Sequence, residues 1–235
     1  MALPKITREG YFKATVIFLL FLLLSFDRDM AMIYILIMVG DFIWWRFDRN
    51  ITFPIEKTTT NRLSAVLEAG IATALFFLFS SMAVKVFAVE ALPAGVNINS
   101  ILELYAASTP ILQGNVFLTI VGWGFLIPVI ETIFFNGTLL EGLTVFAEKQ
   151  FGTRVSLQKF SIPLFLVILF VATLFTLFHL TAKNLSSIPL LITFIFSIIS
   201  SVLVIRNQEI KQAIMLHMTV NTLAVLSSLG LLSFI

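Results

Sequence analysis

Three ionisable side chains lie inside long apolar segments of this sequence, where such groups are costly to bury. The chain has two histidines, His179 and His217, and a third apolar segment carries Glu131. Ionisable residues at membrane depth are normally paired, hydrated or used in a reaction, so by default they indicate a functional site. A carboxylate and two imidazoles that meet can activate a water molecule. We therefore take Glu131, His179 and His217 as candidate catalytic residues.

The spacing of neighbouring residues adds chemistry to both histidines. Asn221 follows His217 by one helical turn, and Phe175 precedes His179 by one turn. Residues four apart share a helix face, so we expect His217 and Asn221 to offer an imidazole N–H and an amide N–H to one oxygen. Two such donors are what a tetrahedral oxyanion needs. We expect the Phe175 ring to pack against His179 and fix its orientation.

Pro128 stands three residues before Glu131 in the same apolar segment. Because proline has no backbone N–H, it removes a helical hydrogen bond and tends to kink the helix. The sequence therefore predicts an irregular helix that opens a polar crevice at Glu131. The competing interpretation is structural, since an isolated histidine in an apolar helix most often hydrogen-bonds to a neighbouring helix.

The composition is that of an integral membrane protein. Hydrophobic residues make up 59% of the 235 residues against 12% charged residues, and 25 are phenylalanine. Such a balance lies far from that of soluble globular domains. The chain has no cysteine, which excludes disulfides, thiolate nucleophiles and cysteine-based metal sites. The formal net charge of +2 is too small to indicate a nucleic-acid partner, so the expected surroundings are the lipid bilayer.

The fold class that follows is an all-α polytopic membrane protein, because a membrane span must satisfy its backbone internally. We predict about seven transmembrane helices, since seven apolar stretches approach the length needed to cross ~30 Å of hydrocarbon. They cover residues 11–26, 30–45, 64–89, 111–140, 161–180, 188–205 and 212–235. Residues 1–110 would hold the N-terminal helices and an outer loop at 90–110, and residues 111–235 the catalytic core of a single membrane domain.

The basic residues predict the orientation. With the N-terminus in the cytoplasm, twelve Lys and Arg residues lie on the inner side and three on the outer side. This asymmetry is what the positive-inside rule expects, and it places the C-terminus outside. Straight helices in this ladder would put His179 near the outer end of its span and His217 near the inner start of its own. The sequence therefore predicts tilted, broken or unequal helices around the site, as is allowed where they line a water-filled cavity.

Three ordered motifs resemble those of the CPBP (Abi) intramembrane proteases, which include the type II CAAX prenyl endopeptidases and bacterial bacteriocin-processing relatives. The first motif runs from Pro128 to Gly137, the second is Phe175-x-x-x-His179, and the third is His217-x-x-x-Asn221. The family's first motif is EExxxR, usually followed by glycine. This chain keeps the first Glu and the Gly but has Thr132 for the second Glu and Asn136 for the Arg.

The resemblance implies a glutamate-dependent endopeptidase that cleaves membrane-associated peptides or proteins. Glu131 and His179 would activate water, and His217 with Asn221 would stabilise the oxyanion. Thr132, Asn136 and Phe175 would support them. If the site works with its altered first motif, the resemblance requires Thr132 beside Glu131 as a hydroxyl donor and Asn136 hydrogen-bonded locally.

Several alternatives remain open at the level of sequence. No cofactor is expected, because glutamate-based water activation needs no metal, although a His2Glu set can also hold zinc with one open position. The protein could instead be a catalytically silent relative that binds or regulates a membrane-protein partner. A third hypothesis is a proton-coupled transporter with Glu131, Glu68 and Asp41 as a relay. The sequence has no HExxH, GxSG or GxGD motif for other intramembrane proteases.

Overall fold

The structure is a computed structural model, and it describes residues 38–40, 62–87, 101–102, 115–151, 162–183, 187–207 and 209–231. These residues form helices and no strands. In chain order the elements are α1 (Arg62–Phe87), α2 (Val116–Thr119), π1 (Ile120–Leu126), α3 (Ile127–Thr132), π2 (Ile133–Leu139), α4 (Leu140–Phe151), α5 (Ile162–Lys183), α6 (Ser187–Asn207) and α7 (Lys211–Ser228). The elements from α2 to α4 follow one another without a break, and two of them are π-helical.

Four helical segments in the described part of the chain are long and apolar enough to cross a membrane. They are Leu63–Phe87, Val116–Thr144, Ile162–Leu180 and Ser187–Asn207. They match four of the seven predicted spans, and the prediction of an all-α integral membrane protein is confirmed. The seventh predicted span forms α7, which has 18 residues and is not among these four. The first two predicted spans lie outside the described residues except for 38–40, so the number seven stays a prediction.

The side chains of α1 show why an apolar sequence makes a helix with two different faces. Ala69, Ala72, Phe76 and Val84 are buried and recur at spacings of one or two turns, whereas large apolar side chains such as Phe79 are exposed between them. In a membrane protein such exposed apolar positions contact lipid tails, which are as apolar as the side chains themselves. The buried face of α1 is therefore determined by packing against other helices and not by exclusion from water.

The short helix α7 lies at the centre of the packing. It contacts α1, π1, α3 and α6, and α5 packs mainly against α6 and α4. Phenylalanine rings fill much of the space between these helices, with Phe76, Phe135, Phe175 and Phe196 all buried. Because α1 contacts α6 and α7, helices from both sides of residue 110 share one core. The division at residue 110 and the outer loop remain predictions.

Candidate active site

Glu131 lies in the last turn of α3, between the two π-helical segments π1 and π2. Its side chain is buried, and one of its oxygens, Oε2, faces both histidines. That oxygen is 3.5 Å from His217 Nε2 and 3.9 Å from His179 Nε2. The three ionisable groups that the sequence analysis selected therefore meet at one atom. The irregularity expected near Pro128 takes the form of π-helical turns, which often occur at functional sites.

His179 reaches this point from α5, and its ring is held by its own helix. The Nδ1 atom lies 2.8 Å from the backbone carbonyl oxygen of Phe175. A carbonyl oxygen only accepts hydrogen bonds, so Nδ1 carries the proton and donates. In the neutral ring, Nε2 then has a lone pair and no proton. His179 thus presents a hydrogen-bond acceptor beside Glu131.

His217 reaches Glu131 from α7, and its other ring nitrogen contacts the residue next to Glu131. The Nδ1 atom of His217 lies 2.9 Å from Thr132 Oγ1. Thr132 follows Glu131 directly in α3, and its hydroxyl pairs with His217 rather than with Glu131. Thr132 and His217 are both buried, so water does not compete with this contact. A role for Thr132 in catalysis stays a prediction.

Two phenylalanine rings hold the imidazoles in place. The Phe175 ring centroid is 4.4 Å from that of His179 and 6.0 Å from that of His217. Phe196, on α6, lies with its ring centroid 4.6 Å from the His217 ring. Phe175 therefore contacts both histidines, whereas its spacing in the sequence indicated only His179. Nothing in the sequence pointed to Phe196, because it belongs to another helix and to no motif.

Asn221 lies one turn after His217 on α7, as its spacing predicted. Its Nδ2 atom donates a hydrogen bond of 3.1 Å to the backbone carbonyl of Trp123, and the hydroxyl of Thr222 donates one of 3.2 Å to that of Gly124. An amide nitrogen has two N–H groups, and the bond to Trp123 uses one. Asn221 is thus fixed against π1 while its side chain stays on the face of His217.

Pro128 removes one backbone N–H donor close to these two carbonyls. In π1 the backbone N–H of Ile127 bonds five residues back, to Gly122. The next residue, Pro128, has no N–H to give to the carbonyl four or five residues before it, and these carbonyls belong to Gly124 and Trp123. A Cβ at position 124 would lie 3.0 Å from the Thr222 hydroxyl oxygen, so any larger residue there would require the Thr222 side chain to shift.

Asn136 lies in π2 and faces α6. Its Nδ2 atom donates to the Ser201 hydroxyl oxygen at 3.1 Å, and the Ser200 hydroxyl donates to its Oδ1 atom at 3.2 Å. All three side chains are buried. The local hydrogen bonding required of Asn136 is therefore present, and its partners are neutral. Neither serine was predicted, because small hydroxyl residues in an apolar helix give no signal of their own.

The segment that contains all of these residues matches a known family. Residues 113–223 match the family described as type II CAAX prenyl endopeptidase Rce1-like. The chain is a relative of the CPBP family. Comparisons with curated proteins and with solved structures give no match. The matched segment of this CPBP relative begins before α2 and ends inside α7, so it includes Glu131, Thr132, Asn136, Phe175, His179, His217 and Asn221.

Glu131, His179 and His217 carry the types of oxygen and nitrogen atom that bind zinc. A zinc ion bound by histidine nitrogen and carboxylate oxygen lies about 2.0–2.2 Å from each donor atom. In the described part of this CPBP relative, no group of three or more His, Asp or Glu side chains is arranged to hold a metal ion.

Proposed function

We propose that this protein is a glutamate-dependent intramembrane endopeptidase that hydrolyses peptide bonds of membrane-associated proteins or peptides. One observation supports this most strongly. Both histidines turn their Nε2 atoms toward the same Glu131 oxygen, at 3.5 Å and 3.9 Å, within the segment that matches the CAAX endopeptidase family. Two histidines from different helices beside one buried carboxylate are the kind of group that can activate a water molecule.

In the proposed reaction, Glu131 and His179 activate a water molecule together. A water between them donates one hydrogen to the carboxylate and the other to the lone pair on His179 Nε2, so that its own lone pair faces the scissile carbonyl carbon. The carboxylate takes the proton as the carbon–oxygen bond forms. It then returns that proton to the amide nitrogen as the carbon–nitrogen bond breaks, which leaves a carboxylic acid and an amine.

The oxyanion that forms at the scissile carbonyl needs hydrogen-bond donors held close to it. His217 and Asn221 lie one turn apart on α7, and each can donate an N–H to the same oxygen. Donors fixed before the reaction stabilise the developing charge without reorganisation, which makes such groups large contributors to catalysis. The bond from Asn221 to Trp123 and the contacts of His217 with Thr132 and Phe196 supply this fixation.

A specific observation keeps a second function under consideration. The side chains of Glu131, His179, His217 and Asn221 are all buried, and the most exposed of them, Asn221, is 7% exposed. A substrate must displace neighbouring side chains to reach Glu131. A catalytically silent relative that binds a membrane-protein partner needs no such opening, so proteolysis and scaffolding differ in whether Glu131 is required.

The test is cleavage by the full-length protein in liposomes. The probes are fluorogenic membrane peptides, half of which carry a prenylated C-terminal cysteine. We expect Glu131→Gln to lower kcat by at least ~10²–10⁴-fold, the usual contribution of a general base, without changing thermal unfolding. A wild-type protein that cleaves no probe in either set, or a Glu131→Gln variant with full activity, would contradict the proposal.

Two further arms separate the other hypotheses. Glu68→Gln is the matched control, because Glu68 is a half-buried acid on α1 that belongs to the proton relay of the transporter hypothesis and not to the hydrolytic site. We expect it to cleave like the wild type. Treatment with 1,10-phenanthroline should leave cleavage unchanged, whereas inhibition together with bound zinc in the purified protein would establish metal-assisted chemistry instead.

A further inference from the structure

Thr132 differs from most of the other threonines whose hydrogen bonds the structure describes. A threonine in a helix commonly donates its hydroxyl to the carbonyl four residues earlier in its own helix. This bond is made by Thr73, Thr119, Thr173, Thr176, Thr193 and Thr219. Thr132 instead turns its hydroxyl across to α7, where Oγ1 lies 2.9 Å from His217 Nδ1.

The direction of this bond follows from the hydrogen count. A hydroxyl has a single hydrogen, and a buried hydroxyl hydrogen needs an acceptor. Among the described residues, His217 Nδ1 is the one hydrogen-bond partner of the Thr132 hydroxyl, so the hydrogen points to Nδ1. The Nδ1 atom of His217 therefore accepts. A neutral imidazole has one N–H, and that N–H is then on Nε2.

We propose that Thr132 is a positioning residue that holds neutral His217 as the Nε2–H tautomer. The consequence is an asymmetry between the two histidines at Glu131. The carbonyl of Phe175 keeps the proton of His179 on Nδ1, so His179 presents a lone pair at Nε2. Thr132 does the opposite for His217, which presents an N–H at Nε2. Two identical side chains thus become one acceptor and one donor around the same carboxylate oxygen.

The two tautomers suit the two histidines to different steps of the proposed reaction. This catalytic part of the inference rests on the proposed function. The acceptor, His179, can take a hydrogen from the attacking water, whereas the donor, His217, can give one to the oxyanion. If His217 took the other tautomer, its Nε2 lone pair would face the oxyanion and repel it. Thr132 therefore acts on the reaction through His217 and has no contact with the substrate.

Nuclear magnetic resonance of the imidazole nitrogens tests the tautomers directly. The chain has only two histidines, so full-length protein labelled with ¹⁵N-histidine in nanodiscs gives two imidazole spin systems. His179→Gln assigns them. We expect one ring protonated at Nδ1, which disappears in His179→Gln, and one protonated at Nε2. A wild-type His217 ring protonated at Nδ1 would overturn the inference.

Two substitutions then test the role of the hydroxyl. Thr132→Ser keeps the donor, so both the Nε2–H signal of His217 and kcat should stay near those of the wild type. Thr132→Val has nearly the same shape but no donor. We expect it to shift His217 toward the Nδ1–H form and to lower kcat roughly 10–100-fold, the scale for partners that orient a functional histidine, with KM little changed.

The outcomes distinguish this inference from the proposed function. If no probe is cleaved but the tautomer of His217 depends on Thr132 as described, the tautomer assignment stands and the protease proposal fails. If cleavage requires Glu131 but Thr132→Val leaves both the spectrum and kcat unchanged, the protease proposal stands and the role of Thr132 is wrong. Thr132→Ser keeps the test decisive if the valine variant does not fold.

Discussion

Asn221 on α7 donates a hydrogen bond to the backbone carbonyl of Trp123 in π1. The carbonyl oxygen is 3.1 Å from Asn221 Nδ2, and Trp123 lies five residues before Pro128, which has no N–H. The Thr222 hydroxyl likewise donates a hydrogen bond of 3.2 Å to the neighbouring carbonyl of Gly124. These two bonds therefore join the candidate oxyanion donor on α7 to the π-helical segment that precedes Glu131.

The bonds from Asn221 and Thr222 to π1 form a clamp between α7 and π1. The hydroxyl of Thr222 should contribute to stability through this clamp. Thr222→Val removes the donor and leaves the buried carbonyl of Gly124 unsatisfied, which costs about 1–3 kcal/mol. The free energy of unfolding, measured by denaturant titration in mixed micelles, should fall by that amount. Thr219→Val is the control on the same helix, since Thr219 is exposed and bonds only to its own backbone, at Met215. Equal losses in the two variants would mean that the clamp contributes nothing.

Asn221→Ala should reduce both kcat and the free energy of unfolding, whereas the effect expected of Thr222→Val is on the free energy of unfolding. Loss of one oxyanion donor typically lowers kcat by about 10²–10³-fold, and the variant also loses the hydrogen bond that joins α7 to Trp123 in π1. We expect KM to change little, because the donor acts on the transition state more than on the bound substrate. Cleavage kinetics in liposomes provide the measurement. A variant with lowered stability and unchanged kcat would assign Asn221 a structural role only.

Much of the core could be predicted because its signals are local. Apolar segments long enough to cross a bilayer gave the positions of α1, α5 and α6 to within a few residues. Helical spacing correctly placed Asn221 one turn from His217 and Phe175 one turn from His179. In each case the partners lie on one helix, where four residues fix the geometry.

The remaining features depend on contacts between helices, which spacing alone does not encode. Thr132 and His217 are 85 residues apart, and a straight ladder of spans would have kept His179 and His217 at different depths. Nor does the apolar pattern distinguish π-helical turns from α-helical ones, since both give continuous helices. Pro128 did hold a usable signal, because its missing N–H identifies Gly124, four residues earlier, as a carbonyl that loses its α-helical donor.

The hydrogen bonds between Asn136 and α6 should appear as an energetic coupling. Asn136→Leu removes the acceptor of Ser200 and a donor to Ser201, so we expect a loss of about 1–3 kcal/mol in the free energy of unfolding. Ser200→Ala should cost less in that background than in the wild type, with a coupling of about 0.5–3 kcal/mol in a double-mutant cycle. Thr193→Val is the control on α6, because Thr193 bonds to its own backbone at Pro189. The hydrogen bonds of Asn136 have no energetic role if Asn136→Leu combines with Ser200→Ala as additively as it combines with Thr193→Val.

The orientation of the chain is testable with single cysteines, because the sequence has none of its own. Charge asymmetry predicts that Ser156, between α4 and α5, lies in the cytoplasm and that Asn97, in the predicted outer loop, lies outside; both lie outside the described residues. In intact cells, a membrane-impermeant maleimide should label Asn97→Cys but not Ser156→Cys, and permeabilised cells should show label at both. The physical reason is that twelve of the fifteen basic residues fall on one predicted side. Labelling of Ser156→Cys and protection of Asn97→Cys in intact cells would reverse the orientation, and labelling of both would mean that the segment between them does not cross the membrane an odd number of times.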